Sequence, residues 1–214
     1  MIISPGRRFI FVHIPKTGGT SMALALERRA HRDDILIGDT PKAQRRKARL
    51  DRLSARGRLW KHSTLTDIDG VLTPEDMRRM YVFTMVRNPW DRMVSYYHWL
   101  RTQQFAHPAV TLAQTAPFKQ FVQHEHTAKT LRAAPFSSYV QDVLGKNRAN
   151  LFIRLEHLED DLVPLAEHLG FTVGLPHANR SDRPRDYRSA YCDASAEAVA
   201  QICAKDIDQF QYRF

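Results

Sequence analysis

The stretch FVHIPKTGGTSM, residues 11–22, constrains the fold more than any other part of the sequence. Residues 8–13 (RFIFVH) are apolar, β-branched and aromatic, over a length that suits a buried strand. Pro15 and the Gly18–Gly19 pair end this strand, and good helix formers follow from Ser21 onward. The sequence therefore predicts a strand, a glycine-rich loop and a helix.

A second segment of the same kind lies at residues 81–97. YVFTMV (81–86) is predicted to be a buried strand, and Asn88 can cap a helix whose first residue is Pro89. Apolar side chains then recur at helical spacing, at Trp90, Met93, Val94, Tyr97 and Leu100.

Shorter patterns complete the prediction of secondary structure. RLWKH (58–62) and LFIRLE (151–156) are predicted to be strands, and further helices are expected after Thr73, at 118–124, up to Leu169 and at 195–210. Strands that alternate with helices predict an α/β fold in three layers, with a mainly parallel central sheet flanked by helices. A chain of 214 residues with 43% hydrophobic residues fits a single domain over residues 1–214.

The net charge of +9 favours an anionic partner, which leaves a nucleotide, an acidic or sulfated glycan and nucleic acid open. Much of the excess is local, and a solvated surface helix is the alternative interpretation of that segment. Its basic residues are Lys42, Arg45, Arg46, Lys47, Arg49, Arg52, Arg56 and Arg58.

Other features argue for a cytoplasmic protein without a metal. No apolar run approaches the roughly 20 residues that span a bilayer, and we identify no signal peptide. Cys192 and Cys203 have no metal-type spacing and are expected to be free thiols in a reducing compartment. The HEH triplet at 124–126 lacks the HExxH spacing of zinc sites.

The first loop has the residue types that bind phosphate-like oxygens. In an open α/β sheet, ligands bind at the carboxyl ends of strands, where glycines let backbone N–H groups approach an anion. Lys16 adds a mobile charge, and hydroxyl groups follow it. The alternative is a tight turn whose lysine faces water. The candidate anion-binding residues are Lys16, Thr17, Gly18, Gly19, Thr20 and Ser21.

The second loop offers a guanidinium and a hydroxyl. Arg87 follows a predicted strand, and Ser95 lies eight residues later on the second turn of the next helix. Arginine can bind two oxygens of one phosphate, so this pair would suit a second phosphate group. An arginine that caps structure and a serine on a helix surface are the alternative.

Taken together, HIPKTGGTS (13–21) and RNPWDRMVSYY (87–97) resemble the sulfotransferases that use 3′-phosphoadenylyl sulfate (PAPS), in particular the carbohydrate branch called sulfotransferase family 2. The resemblance extends to RLEHLEDDL (154–162), to NRS (179–181) and to the final KDIDQFQYRF. It implies a P-loop-like fold and PAPS as the cosubstrate, with no metal.

The resemblance also implies roles for individual residues. Lys16 would contact the oxygen that bridges phosphate and sulfate, and residues 17–21 would surround the 5′ group. Arg87 and Ser95 would hold the 3′-phosphate. A loop that closes over the nucleotide in the family makes three further residues candidates, namely Arg180, Ser181 and Tyr187.

The acceptor hydroxyl requires a base, and a histidine suits this role near neutral pH. Our candidate is His62, which ends a predicted strand and would emerge at the same sheet edge as Lys16. Related sulfotransferases also place a catalytic histidine before the 3′-phosphate motif. His13 is the alternative, although the family has a structural strand residue at its position.

We therefore expect a sulfotransferase that moves a sulfuryl group from PAPS to an acceptor hydroxyl, on a carbohydrate, by in-line displacement. Its partners would be a nucleotide and a sugar, with no nucleic acid and no integral membrane segment. One alternative is a P-loop nucleotide kinase or NTPase; the lysine precedes the glycines here, which argues against it. A nucleic-acid-binding module using residues 42–58 and an inactive nucleotide-binding relative also remain open.

Overall fold

The computed structural model describes residues 1–176 and 186–214. Within these ranges the chain forms two compact units. The first contains residues 1–86 and the described residues from 136 to 176, and the second contains residues 87–135 and those from 186 onward. A single domain over the whole chain stays a prediction.

The first unit is built on a five-stranded sheet with the order β3-β1-β2-β4-β5. β2 pairs with β4 and β4 with β5 in parallel, whereas β1 is antiparallel to both β2 and β3. Four strands therefore share one direction and only β1 opposes them, so the predicted α/β fold with a mainly parallel sheet is confirmed. The strands are β1 (Ile2–Ser4), β2 (Phe9–Val12), β3 (Ile35–Leu36), β4 (Tyr81–Val86) and β5 (Ala149–Arg154).

Short helices connect and flank these strands. In chain order they are α1 (Gly19–Glu27), α2 (Pro41–Arg45), α3 (Pro74–Arg79), α4 (Pro89–Arg101), α5 (Pro108–Thr115), α6 (Phe118–Gln123), α7 (Glu125–Arg132), α8 (Leu158–Asp161), α9 (Val163–Leu169), α10 (Asp193–Ile202) and α11 (Ala204–Phe210).

Each face of the sheet carries its own hydrophobic core, because successive side chains of a strand point to opposite faces. Phe9 and Phe11 of β2 pack with Met22 and Leu26 of α1 on one face. On the other face, Ile10 and Val12 of β2 pack with residues from the loop that follows residue 58 and from the segment near residue 140, including Leu65, Ile68 and Val140. Irregular segments thus cover much of the second face.

The second unit is helical and has a separate core. α4 lies at its centre, with contacts to α5, α6 and α10. Because Trp90, Met93, Tyr97 and Leu100 recur every three or four residues, they form one buried stripe on α4. Asn88 caps this helix as predicted, its side-chain oxygen accepting a hydrogen bond from the Trp90 N–H at 3.0 Å.

The prediction of a strand at 58–62 is wrong, since these residues form an irregular turn. The buried Ser63 side chain explains the difference. Its hydroxyl oxygen lies 2.8 Å from the Trp60 carbonyl and 2.9 Å from the Arg58 carbonyl, and it accepts the Trp60 N–H at 2.9 Å. These backbone groups are therefore satisfied locally, without a neighbouring strand.

The single helix predicted at 195–210 is instead two helices, α10 and α11, which meet at Cys203.

Cys192 and Cys203 are both free thiols. In the described part of the chain, no helix has the length and apolar character needed to cross a membrane.

Candidate active site

The loop between β2 and α1 has a tight, partly left-handed backbone. Lys16 has a φ of 66° and Gly18 a φ of 87°, and Gly18 is the N-cap of α1. The Thr17 hydroxyl is turned inward and donates to the Ile14 carbonyl at 2.9 Å. Ser21 N–H donates to the Gly18 carbonyl at 3.0 Å, which closes the first turn of the helix. A lysine with positive φ is uncommon, and Arg8 and Gln211 are the other non-glycine residues with positive φ in the described part of the chain.

The two loop glycines are required for different reasons. At Gly18 the positive φ disfavours any L side chain. At Gly19 a Cβ atom would lie 2.1 Å from Cδ2 of His13, so the imidazole ring occupies the space that a side chain would need. The buried His13 ring is thus packed against the beginning of α1.

His62 lies next to His13, although no strand delivers it there. Its Nδ1 atom is 2.8 Å from the His13 carbonyl oxygen, and the two rings meet edge to face with centroids 4.7 Å apart. A carbonyl only accepts hydrogen bonds, so Nδ1 carries the proton and Nε2 carries the lone pair. The half-buried His62 is therefore held in the tautomer that a general base requires.

Burial keeps both imidazoles neutral. Desolvation lowers the pKa of His62 from 6.5 to about 4; the hydrogen bond to the His13 carbonyl raises it, and the nearby Lys61 lowers it further. Desolvation also lowers the pKa of His13 well below its ordinary value. Since protonation is disfavoured, His62 is in its proton-accepting form at neutral pH.

Lys61 forms an ion pair with a neighbouring carboxylate. Its ammonium group lies 2.5 Å from Oδ2 of Asp39. Burial opposes ionisation of Asp39, but the hydrogen bond and charge of Lys61 outweigh it, so the net pKa of the carboxyl is lowered. A small cavity of about 10 Å³ is lined by both residues together with His13 and Thr20.

In the second unit, Arg87 and Ser95 lie on one face of the helical segment, with Asp91 between them at intervals of four. The Arg87 guanidinium donates from Nε to Oδ2 of Asp91 at 2.7 Å, and its NH2 nitrogen lies 2.6 Å from the same oxygen. Asp91 thereby fixes the orientation of the guanidinium. Ser95, one turn further on, is buried.

Tyr187 belongs to the same neighbourhood as Arg87. The Asn88 amide nitrogen donates to the Tyr187 hydroxyl at 3.3 Å and to the Arg213 carbonyl at 2.9 Å. The Tyr187 ring also contacts the ring of Phe214, with centroids 6.1 Å apart. The same asparagine therefore caps α4 and holds a predicted ligand-binding tyrosine.

The predicted site residues fall into two groups. Lys16 to Ser21 and His62 lie in the first unit, and Arg87, Ser95 and Tyr187 in the second. Arg180 and Ser181 lie outside the described residues.

The sequence analysis missed two interactions of these groups. It did not identify the His13 carbonyl as the partner of His62, and no sequence signal reports a contact across 49 residues. It also missed Asp91, which the four-residue spacing from Arg87 would have indicated.

No group of three or more potential metal ligands is present among residues 1–176 and 186–214. The acidic stretch after β5 has a structural role instead. Asp161 pairs with both the guanidinium and the backbone N–H of Arg154, at 2.8–2.9 Å, and the side-chain hydrogen bond from Arg154 lowers the Asp161 pKa.

Comparison with known proteins gives a family. The family described as "Sulfotransferase family" matches residues 1–213. Among solved structures, mouse sulfotransferase SULT7A1 complexed with PAP is similar, with 15% identity, a TM-score of 0.49, and coverage of 96% of this chain and 85% of that chain. No curated protein matches.

Proposed function

Since the chain belongs to the sulfotransferase family, we propose that it transfers a sulfuryl group from PAPS to a hydroxyl of a carbohydrate acceptor, with His62 as the base. The observation that carries this proposal is the neutral, oriented imidazole of His62 beside the residue that begins the Lys16 loop. A base and a cation-bearing loop within one unit are the two chemical groups that the reaction needs.

The reaction is a displacement at sulfur. The acceptor O–H loses its proton to Nε2 of His62 as the oxygen forms a bond to sulfur. The bond between sulfur and the bridging oxygen breaks, and its electron pair stays on the 5′-phosphate of the departing adenosine 3′,5′-bisphosphate (PAP). Negative charge grows on that oxygen, so a preorganised cation there lowers the barrier.

Residues of the first loop would meet this charge. Lys16 supplies the cation, and the backbone N–H groups that precede Ser21 would face the 5′-phosphosulfate. The side chains of Thr20 and Ser21 add hydroxyl donors. Thr17 differs from this expectation, because its hydroxyl donates to the Ile14 carbonyl and so stabilises the loop.

The 3′-phosphate is assigned to Arg87 and Ser95. Asp91 holds the guanidinium in one orientation, which reduces the entropy lost when it binds a phosphate. Tyr187, fixed by Asn88, stays a candidate contact to the nucleotide, and so do Arg180 and Ser181.

The test is a calorimetric titration with PAP, AMP and ATP. If Arg87 and Ser95 bind the 3′-phosphate, PAP should bind roughly 30- to 150-fold more tightly than AMP, which corresponds to about 2–3 kcal/mol for a charge-assisted bidentate contact. Arg87→Ala should remove most of this difference. Arg101→Ala, at the other end of α4, is the control and should leave it intact.

Equal affinities for PAP and AMP would contradict the assignment. Tighter binding of ATP than of PAP would favour the nucleotide kinase instead. Binding to DNA or RNA with a steep salt dependence, and no selectivity for PAP, would favour the nucleic-acid-binding module.

A further inference from the structure

Trp60 lies directly beside the proposed base. Its side chain is 44% exposed, and its ring centroid is 5.1 Å from that of His62, at an interplanar angle of 88°. Single exposed aromatic residues are common on protein surfaces and need no explanation. The position of Trp60 next to His62, and the rigidity of the backbone that presents it, distinguish it from such residues.

The backbone around Trp60 is fixed before any ligand binds. Ser63, which is fully buried, accepts the Trp60 N–H, and the Ser63 N–H donates to the Trp60 carbonyl at 2.9 Å. The next buried residue, Leu65, anchors the segment through a hydrogen bond from its N–H to the Tyr139 carbonyl at 3.0 Å. A side chain on such a turn binds a ligand with little additional cost in ordering.

The small cavity beside His13 does not hold the acceptor. The cavity that adjoins His13 has a volume of about 10 Å³, which is room for about one water molecule. A sugar or phenol ring does not fit there. The exposed ring of Trp60, which contacts the His62 ring, is a surface on which an acceptor ring can lie with a hydroxyl directed to His62.

The charge beside Trp60 is positive. The guanidinium of Arg58 lies 5.7 Å from the Trp60 ring centroid, and both Arg58 and Arg56 are exposed. The acidic groups nearby are engaged, since Asp39 pairs with Lys61 and the Asp67 carboxylate accepts the Thr64 N–H at 2.7 Å. A ligand on Trp60 thus meets an exposed aromatic ring and a guanidinium together.

We propose that Trp60 and Arg58 form the acceptor subsite, and that the acceptor is an acidic pyranoside. The apolar face of the sugar ring packs on the indole of Trp60, its carboxylate or sulfate pairs with Arg58, and its reacting hydroxyl reaches Nε2 of His62. A phenol fits this subsite less well, because apolar rings bind in enclosed, mainly apolar pockets. This inference rests on the sulfotransferase function proposed above.

The experiment uses a hyaluronan hexasaccharide as the acidic probe and chitohexaose as a neutral one. Binding is followed by isothermal titration calorimetry, which needs no tryptophan reporter and so compares Trp60→Ala with the wild type directly, and transfer is followed with radiolabelled PAPS. The variants are Trp60→Ala, Trp60→Phe and Arg58→Ala. Phe105→Ala, which truncates another aromatic residue that is 50% exposed, is the matched control.

We expect Trp60→Ala to weaken binding of the acidic probe about tenfold and to raise its KM by a similar factor. Trp60→Phe should retain part of the affinity, because a smaller ring remains. Arg58→Ala should reduce affinity for the acidic probe and leave affinity for chitohexaose unchanged. Phe105→Ala should match the wild type, and every variant should bind PAP normally, which also confirms folding.

Three results would overturn the subsite. They are unchanged affinity for the acidic probe in Trp60→Ala, no binding of either hexasaccharide by the wild type, and tighter binding of 2-naphthol than of the acidic probe. Failure of the wild type to prefer PAP over AMP would instead overturn the proposed function, so the two failures are distinguishable.

Discussion

At the scale of single residues, the contact between His62 and the His13 carbonyl decides the chemistry of the proposed base. The hydrogen bond assigns the proton to Nδ1, and burial lowers the pKa of the imidazole to about 4. A base with so low a pKa is fully available at neutral pH but has a weak intrinsic affinity for the proton. In the proposed mechanism, the reaction therefore depends strongly on stabilisation of the departing 5′-phosphate, the role proposed for Lys16.

This arrangement predicts that Lys16 and His62 variants fail differently. His62→Ala removes the proton acceptor and should lower kcat by about 10² to 10⁴, with PAP affinity unchanged. Lys16→Ala should lower kcat and also weaken PAP binding, because the nucleotide is anionic in the ground state. Calorimetry and single-turnover transfer measure the two effects. A normal kcat for His62→Ala would move the search for the base to His13 or a carboxylate.

The pKa itself is measurable in the same variant series. The imidazole signals of His62, assigned by their loss in His62→Gln, should titrate near pH 4 in the free enzyme, and a midpoint near 6.5 would contradict the burial argument. The lowered pKa of His62 also makes the stability of the protein depend on pH. Between about pH 6.5 and 4 the unfolded chain binds a proton that folded His62 does not, so the free energy of unfolding should fall as pH falls through this window. His62→Gln should weaken that dependence.

At the scale of elements, the junction of β2 and α1 combines a strand end, a glycine loop and a helix start. The His13 ring fills the space next to Gly19 and also contacts the Phe11 ring, with centroids 5.9 Å apart. The geometry of the loop between β2 and α1, which we propose binds the 5′-phosphosulfate, is therefore coupled to the residue that orients His62.

This coupling predicts the effect of Gly19→Ala. The new Cβ would clash with His13, and because that ring is buried, relief requires a shift of the ring or of α1. We expect a loss of stability of about 1–3 kcal/mol, together with a fall in kcat. Gly174→Ala is the control, since its Cβ would meet nothing within 4 Å. Wild-type thermal stability and kcat in Gly19→Ala would contradict this coupling.

At the scale of the whole molecule, the excess positive charge is only partly available for ligands. Three basic residues between α1 and residue 52 have structural roles, because their side chains donate to backbone carbonyls of residues 27–34. The donors are Lys42 to Glu27, Arg46 to His31 and Asp34, and Arg49 to Arg32. Exposed residues, including Arg45, Lys47 and Arg52, can attract an anionic acceptor.

We therefore expect the triple variant Arg45→Ser, Lys47→Ser and Arg52→Ser to raise the KM for the hyaluronan hexasaccharide and to weaken its salt dependence, with PAP affinity unchanged. The control removes the same charge from exposed lysines of the second unit, as Lys119→Ser, Lys129→Ser and Lys205→Ser. Equal effects of the two triple variants would show that only the net charge matters, and unchanged kinetics in the first would leave the segment as solvated surface.

The sequence by itself determined the elements whose signals are local. β2 and β4 lie within or at the predicted ranges, because each is a continuous run of mainly apolar residues that are buried on both faces of the sheet. β5 is displaced by two residues from its predicted range, and its side chains are mostly only partly buried. The beginning of α4 at Pro89 and the end of α9 before Gly170 were also predictable, since a capping asparagine and a left-handed glycine act on their immediate neighbours.

Only the tertiary structure decided the features that depend on distant partners. β1 and β3 contain three and two residues, too few for a periodic signal, and become strands by pairing with each other and, for β1, with β2. Residues 58–62 form a turn because the buried Ser63 satisfies their backbone groups. Likewise, His62 is oriented by a carbonyl 49 residues away. Residue types specify which chemical groups the chain carries, whereas burial and hydrogen bonding between remote segments decide which of them meet.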